Sequence, residues 1–173
     1  MSETERLLLK RPDNNDLNSL FEIYGDPRTN LSNPSGPLAD LEKAAEVLHR
    51  WITHWDTNNF GMWAITTKEN PDLVIGFGGL SLKNYGIAER LNLGYRFAVD
   101  AWGKGYATEL ALASLDYAFH QLHQPAVYAV VRPQNTTSIK VLEKTGMLLS
   151  GTLDDVPGQP QSLVYQINNP SLF

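Results

Sequence analysis

Residues 93–109 read LGYRFAVDAWGKGYATE, and the fold turns on this stretch. Leu93-Gly94-Tyr95-Arg96-Phe97 has the character of a strand, Val99-Asp100 leads out of it, and Trp102-Gly103-Lys104-Gly105-Tyr106-Ala107-Thr108-Glu109 opens a helix. A strand that enters a helix through small residues can point several free backbone N–H groups at one anion, and the helix dipole favours that charge. A phosphate or pyrophosphate is the natural occupant. Gly and Ala also permit tight helix–sheet packing, so GxGxA alone leaves both readings open. The GxxxxGK[ST] spacing of a Walker A loop is absent, and so is the complete GxGxxG of a dinucleotide fold.

Upstream of this stretch, the pattern predicts a strand over about residues 5–11 and a helix from about Asp13, with Leu17, Leu20, Phe21 and Tyr24 at helical spacing. Arg28–Pro37, rich in Asn, Ser and Pro, reads as a mobile loop. Leu38–Asn58 is a second helix with an apolar stripe of Leu41, Ala44, Ala45, Leu48, Trp51, Ile52 and Trp55. From Phe60 the period changes. Phe60–Thr67 and Leu73–Leu82 read as antiparallel strands, with Leu91–Val99 a third after the turn region Lys83–Arg90. Gly76, Gly78 and Gly79 inside a strand mark either a bulge or the close approach of another backbone.

Downstream, the helix continues to about His120, followed by a strand at Ala126–Val131, a helix at Thr136–Thr145 and strands at Met147–Leu153 and Gln161–Ile167. The last strand either pairs within the sheet or supports a subunit contact. No internal repeat or break in composition divides the chain, so residues 1–173 read as a single domain of the α/β (α+β) class, with helices on a mixed sheet.

The 173 residues suffice for one core, burying roughly 70% of the unfolded surface. The absence of Cys excludes a disulfide scaffold, a Cys-ligated metal and a thiol nucleophile. A formal charge of -5 disfavours direct nucleic-acid binding. Residues 1–10 carry charge before the short run Leu7–Leu9, and no long apolar stretch follows, so the expectation is a soluble cytoplasmic protein without a membrane segment. His49, His54, His120 and His123 form no metal signature; the His49/His54 spacing does not align a helical ligand pair, and no metal site is expected.

Five blocks, Arg6–Pro12, Gly76–Leu80, Leu93–Tyr95, Trp102–Glu109 and Asn135–Met147, together span almost the whole chain. Their order and spacing resemble the GCN5-related N-acetyltransferase (GNAT) superfamily, in particular a branch similar to the ribosomal-protein N-terminal acetyltransferases. The resemblance implies a mixed, mostly antiparallel central sheet flanked by helices, acetyl-CoA as acetyl donor without a metal, a primary-amine acceptor and a homodimer. The superfamily's pyrophosphate motif falls on Trp102, Gly105 and Ala107, with Gly103 and Lys104 between them; Trp102 departs from the usual Gln or Arg. By the same resemblance, the backbone through Gly103, Lys104, Gly105, Tyr106, Ala107 and Thr108 would hold the pyrophosphate, and Leu93, Gly94, Tyr95 and Phe97 would align the pantetheine and thioester.

Asn135 matches the asparagine that contacts the cofactor, and Ser138 matches a serine that can protonate the departing CoA thiolate in the related branch. The usual phenolic acid is absent, since Leu142 stands at its position. Asn92 stands where many relatives have Glu, and Ser150 where an acidic residue is common. Glu89 and Asp100 remain as candidate bases acting through water, and Tyr95 either positions substrate or covers the core. Glu42, Glu46, Asp56 and Glu89 could attract a cationic amine, whereas Arg50 and Arg90 could receive an acidic acceptor. A peptide α-amine leads through the resemblance, with a small amine or amino-acid-like metabolite as alternative, and a noncatalytic acyl-CoA-binding protein as the reading from another class.

Overall fold

Leu7–Lys10 alternates buried and half-buried residues, as a strand with one packed face must, and it is β2 of an eight-stranded sheet. The computed structural model describes residues 1–172. In chain order its elements are β1 (Ser2–Glu3), β2, α1 (Leu17–Tyr24), α2 (Leu41–Asn58), β3 (Met62–Thr67), β4 (Gly76–Asn84), β5 (Glu89–Phe97), α3 (Tyr106–Asp116), β6 (Ala126–Val131), α4 (Thr136–Lys144), β7 (Leu148–Leu153) and β8 (Ser162–Asn168). The sheet order is β1-β2-β3-β4-β5-β6-β8-β7, and every neighbouring pair is antiparallel except β5 and β6. This is the mixed, mostly antiparallel, helix-flanked sheet that the resemblance implies.

Two helical layers cover the sheet. Leu20 and Ile23 of α1 with Ala44 and Leu48 of α2 pack on Ala64 and Phe77. On the other face, Leu110 of α3 packs with Leu7, Leu9, Trp63 and Ile65, while Ala111 and Leu115 of α3 and Leu142 of α4 pack on Leu80, Leu91, Leu93 and Val127. The crossover through α3 returns β6 parallel to β5. Their register is a single pair, Asn92 with Tyr128, so the β5 edge beyond Asn92 is left without a ladder partner.

Several expectations are corrected at their edges. The second helix begins at Leu41 because Asp40 caps it, its carboxylate accepting the Lys43 amide at 2.9 Å. Strand β4 is Gly76–Asn84 rather than Leu73–Leu82, and its partner β5 begins at Glu89, leaving a shorter turn than Lys83–Arg90. The helix expected to reach His120 is α-helical to Asp116 and widens into a π turn over Tyr117–Gln121, where the Leu122 amide reaches the Tyr117 carbonyl at 3.0 Å. Strand β1 lies outside the expected set.

The segment Arg28–Pro37 is not loose at its start. Pro27–Asn30 forms a 3₁₀ turn, and buried Asn30 donates from Nδ2 to the Tyr24 and Asp26 carbonyls at 2.9 and 2.8 Å. Asn residues signal a turn by composition, but the same amide supplies the bonds that fasten it. Strand β8 pairs on both sides, with β6 and β7, which places it within the sheet and leaves β7 as the edge.

Gly78 resolves the run of strand glycines. A Cβ there would lie 2.3 Å from Leu110 Cδ2 and 2.7 Å from Tyr95 Cβ. The β3–β4 and β4–β5 registers run unbroken, so there is no bulge: at Gly78 the close approach is of the Leu110 and Tyr95 side chains, and at Gly79, with φ of +140°, it is of backbone, a Cβ lying 3.0 Å from the Gly61 carbonyl oxygen.

Candidate active site

The β5–α3 connection is shaped by its glycines. Gly103 and Gly105 have φ of +73° and +81°, in the left-handed region that residues with a Cβ avoid. Gly105 is the N-cap of α3 and has no side chain to satisfy the helix's first donors. Among the described residues, the amides of Gly105, Tyr106, Ala107 and Thr108 have no protein partner; the first helical bond runs from the Glu109 amide to the Gly105 carbonyl at 3.1 Å. A Cβ on Gly103 would meet only open space. Four uncommitted donors at a helix N-terminus on an open surface suit a phosphate, and a pyrophosphate fits this chemistry. Trp102 is half-exposed and donates from Nε1 to the Phe97 carbonyl at 3.0 Å, which ties the loop back to the end of β5.

The unpaired part of β5 faces a second helix start. Asn135 caps α4 by accepting the Ser138 amide at 3.2 Å, and the Ser138 Oγ lies 2.8 Å from the Tyr95 hydroxyl. Burial pushes the Tyr95 phenol up to about 12, with the Ser138 hydrogen bond pulling the other way, so it remains a protonated donor at neutral pH. Leu93 and Phe97 are buried on the same side and brace this arrangement from the core. Gly94 lies opposite Gly79 in the ladder.

The opposite face of β5 is polar. Tyr85 donates its hydroxyl to Asn92 Oδ1 at 2.6 Å, and burial raises the Tyr85 phenol. The Arg90 guanidinium stacks over Tyr128 and Tyr85 at 4.4 and 5.6 Å. Arg96 lies over Tyr24 at 4.6 Å and donates to Asn30 Oδ1 at 2.7 Å. This stretch of β5 therefore presents two guanidiniums and an amide.

Thus Leu93, Gly94, Tyr95 and Phe97 lie on one strand, with Tyr95, Asn135 and Ser138 in one hydrogen-bonded chain beside the loop Trp102–Thr108. Among the described residues, neither Glu89 nor Asp100 hydrogen-bonds to Tyr95, Asn135 or Ser138. Glu89 is exposed opposite Asn84, six residues from Tyr95 along β5, or about 20 Å at the rise of a strand. Asp100 is exposed in the short 3₁₀ turn Val99–Ala101 and lines a cleft of about 760 Å³ with Asp26, Arg28, Glu69, Lys104 and Tyr106, a cleft that none of Tyr95, Asn135 or Ser138 lines.

Trp55, Phe60, Trp63 and Tyr85, aromatic residues that could line an acceptor surface, do not converge. Trp63 is buried against Tyr117, Trp55 donates to the Met62 carbonyl, and Phe60 packs on His54, which leaves Tyr85 on the polar face of β5. Asp56 pairs with Arg11. No group of three or more His, Asp or Glu side chains able to hold a metal occurs among the described residues.

Sequence reading missed the contacts of Thr4 and Arg6 with Glu109, about a hundred residues away, and those of Arg132 with Ser162 and Asp155. The only local sign of the first was a carboxylate in the opening turn of a helix.

Residues 6–148 match the family model for the acetyltransferase (GNAT) domain. The crystal structure of an acetyltransferase from Agrobacterium tumefaciens str. C58 is similar with a TM-score of 0.80 and 28% identity, covering 96% of this chain and 93% of that one. The ribosomal-protein-S5-alanine acetyltransferase from Vibrio fischeri gives 0.75 and 19% identity over 98% and 96% of the two chains. The spermidine N-acetyltransferase from Vibrio cholerae, in complex with CoA and spermine, gives 0.76 and 21% identity over 94% and 95%. The last two share the fold with this chain about equally, so the likeness reaches the superfamily without singling out the ribosomal-protein branch.

Proposed function

The chain belongs to the GNAT acetyltransferases, acetyl-CoA-dependent N-acetyltransferases, and from that premise we propose that it acetylates a primary amine, with a peptide N-terminal α-amine as acceptor. The observation that carries this reading is the adjacency of an uncapped α3 N-terminus to the Tyr95–Ser138 hydroxyl pair along one unpaired strand edge. On this reading residues 1–173 work as one N-acetyltransferase domain, a cytoplasmic homodimer without a metal.

Acetyl-CoA supplies the activated acetyl thioester. The amides of Gly105–Thr108 hold its pyrophosphate, and the β5 edge from Leu93 to Phe97 orients the pantetheine so that the acetyl carbonyl lies near Tyr95. Backbone N–H groups of that edge stabilise the negative charge that develops on the carbonyl oxygen as the amine attacks. Ser138, held by its Asn135 cap, gives a proton to the departing thiolate as the C–S bond breaks, Tyr95 can donate to Ser138 in turn, and the proton that the nitrogen sheds as the C–N bond forms returns to this hydroxyl pair through water, so that amine and acetyl-CoA yield the amide and CoA thiol. Asn92 cannot accept a proton at this pH, and Glu89 and Asp100 lie elsewhere, so the amine enters in its neutral form.

The acceptor approaches from the other face of β5, where Arg90 and Arg96 disfavour a polycation and tolerate a peptide chain or carboxylate. Titration calorimetry with acetyl-CoA, followed by thiol release with free-N-terminus peptides, Nα-blocked peptides, amino acids and spermidine, tests the reading. Release with the free-N-terminus peptides alone is the expected result. Binding without release from any amine supports the noncatalytic acyl-CoA-binding alternative, and no binding removes the cofactor site.

A further inference from the structure

The segment Thr4–Arg6 is bound into the first turn of α3. The Thr4 hydroxyl and the Arg6 backbone amide both donate to Glu109 Oε2, at 2.5 and 2.9 Å, and the Arg6 guanidinium donates from Nε to Oε1 at 2.8 Å. Its Nη1 donates to the Lys104 carbonyl at 2.8 Å, and its plane lies over the Tyr106 ring at 4.5 Å. The backbone under Arg6 is fixed in turn, because its carbonyl accepts the Lys68 amide at 2.9 Å and the Thr4 amide reaches Leu7 at the same distance. One planar cation therefore joins the start of the sheet to a glycine-flanked loop that has few other anchors.

We infer that Arg6 is a positioning residue for the pyrophosphate cradle, a role that rests on the acetyl-CoA reading above. The carbonyl of Lys104 and the N–H of Gly105 belong to one trans peptide plane and point in opposite directions. By drawing that carbonyl toward itself, Arg6 turns the Gly105 N–H away from the guanidinium, where it has no protein partner. Gly103 and Gly105 give this peptide the conformational freedom to rotate, so an external anchor is what selects one orientation. Arg6 also neutralises Glu109, whose carboxylate would otherwise repel an anion at the same helix terminus. Lysine cannot replace it, since one ammonium lacks the fork that spans Glu109 and the Lys104 carbonyl together.

The test compares acetyl-CoA with S-acetyl-pantetheine, which carries the same thioester and no pyrophosphate. Acetyl-CoA binding by the wild-type protein, measured by titration calorimetry, comes first; its absence removes the acetyl-CoA reading itself, independently of Arg6. Given binding, Arg6→Ala is expected to raise Kd and KM for acetyl-CoA about tenfold, the weight of one well-placed interaction, with kcat within about twofold and KM for S-acetyl-pantetheine unchanged. Arg6→Lys is expected to resemble Arg6→Ala. Wild-type affinity in Arg6→Ala overturns the inference. So does full rescue by lysine, which would make the effect one of charge alone, and so does an equal loss with S-acetyl-pantetheine, which would make it general damage. Should Arg6→Ala fail to fold, Glu109→Ala removes the partner instead: a severalfold rise confined to acetyl-CoA supports the brace, and an unchanged affinity overturns it.

Discussion

The Tyr95 hydroxyl lies 2.8 Å from the Ser138 hydroxyl, linking the unpaired edge of β5 to the first turn of α4. Each partner is fixed from its own side: Tyr95 by burial in its strand, Ser138 by the Asn135 cap on its amide. Tyr95 stays protonated far above neutral pH, so it can donate to Ser138 as Ser138 releases its own proton forward. Ser138→Ala should therefore lower kcat by about 100-fold, the usual weight of a positioned acid, while KM for acetyl-CoA changes little. Tyr95→Phe should lower kcat less, because Ser138 survives without its donor. Steady-state kinetics on both variants check this; a Ser138→Ala enzyme with wild-type kcat removes the acid from Ser138.

Among the described residues no carboxylate hydrogen-bonds to Tyr95 or Ser138, and this sets the pH profile. If the amine must arrive neutral, kcat/KM for a peptide α-amine should rise about tenfold per pH unit and level off near pH 8, the ordinary pKa of such a group. For a lysine-like amine the rise should continue past pH 9. Tyr95, pushed up to about 12, contributes no downturn over that range. A profile already flat above about pH 6 would reveal a carboxylate base.

Gly78 couples the sheet to the helix that carries the cradle. A methyl group there collides with Leu110 Cδ2 at 2.3 Å and Tyr95 Cβ at 2.7 Å, and both belong to the packed face. Gly78→Ala should cost about 1–3 kcal/mol by overpacking. Leu110→Ala alone should cost about 2–5 kcal/mol by leaving a cavity, and the double variant should lose less than the sum because the new methyl fills part of that space. Urea unfolding of the four proteins measures the coupling; strict additivity would place the clash elsewhere.

The parts of this molecule legible in its sequence are those written in local patterns. The strand-to-helix opening at Trp102–Glu109 and the Ala44, Leu48, Trp51 and Ile52 part of the α2 stripe depend on neighbours a few residues away and lie where small residues and periodicity put them, whereas Leu41 and Ala45 of that stripe are exposed. Gly78 was visible as an anomaly but not as a cause, because the side chain it admits, Leu110, comes from another element. Asn30 reads as part of a loose loop, yet its side chain has five hydrogen-bonding partners, and one of them, Arg96, lies on a strand that sequence alone does not bring near. Glu89 and Asp100 have the chemistry of a base, but the path of the chain sets Glu89 opposite Asn84 on β5 and Asp100 in a cleft that the hydroxyl pair does not line.

Glu109 gives the last prediction its sign. Burial alone would push its carboxyl up, yet the Thr4 hydroxyl, the Arg6 amide and the Arg6 guanidinium outweigh that and hold it below its ordinary value of 4.5. A carboxylate with a depressed folded pKa contributes stability that is fully present above its unfolded value and is lost as pH falls through the folded one. Glu109→Gln should therefore be less stable than wild type at pH 7, and the difference should narrow as pH drops below about 4.5. Thermal unfolding of both proteins from pH 7 to pH 3 follows it. A gap that stayed constant through that window would mean that the carboxylate's charge contributes nothing to holding the Thr4–Arg6 segment on α3.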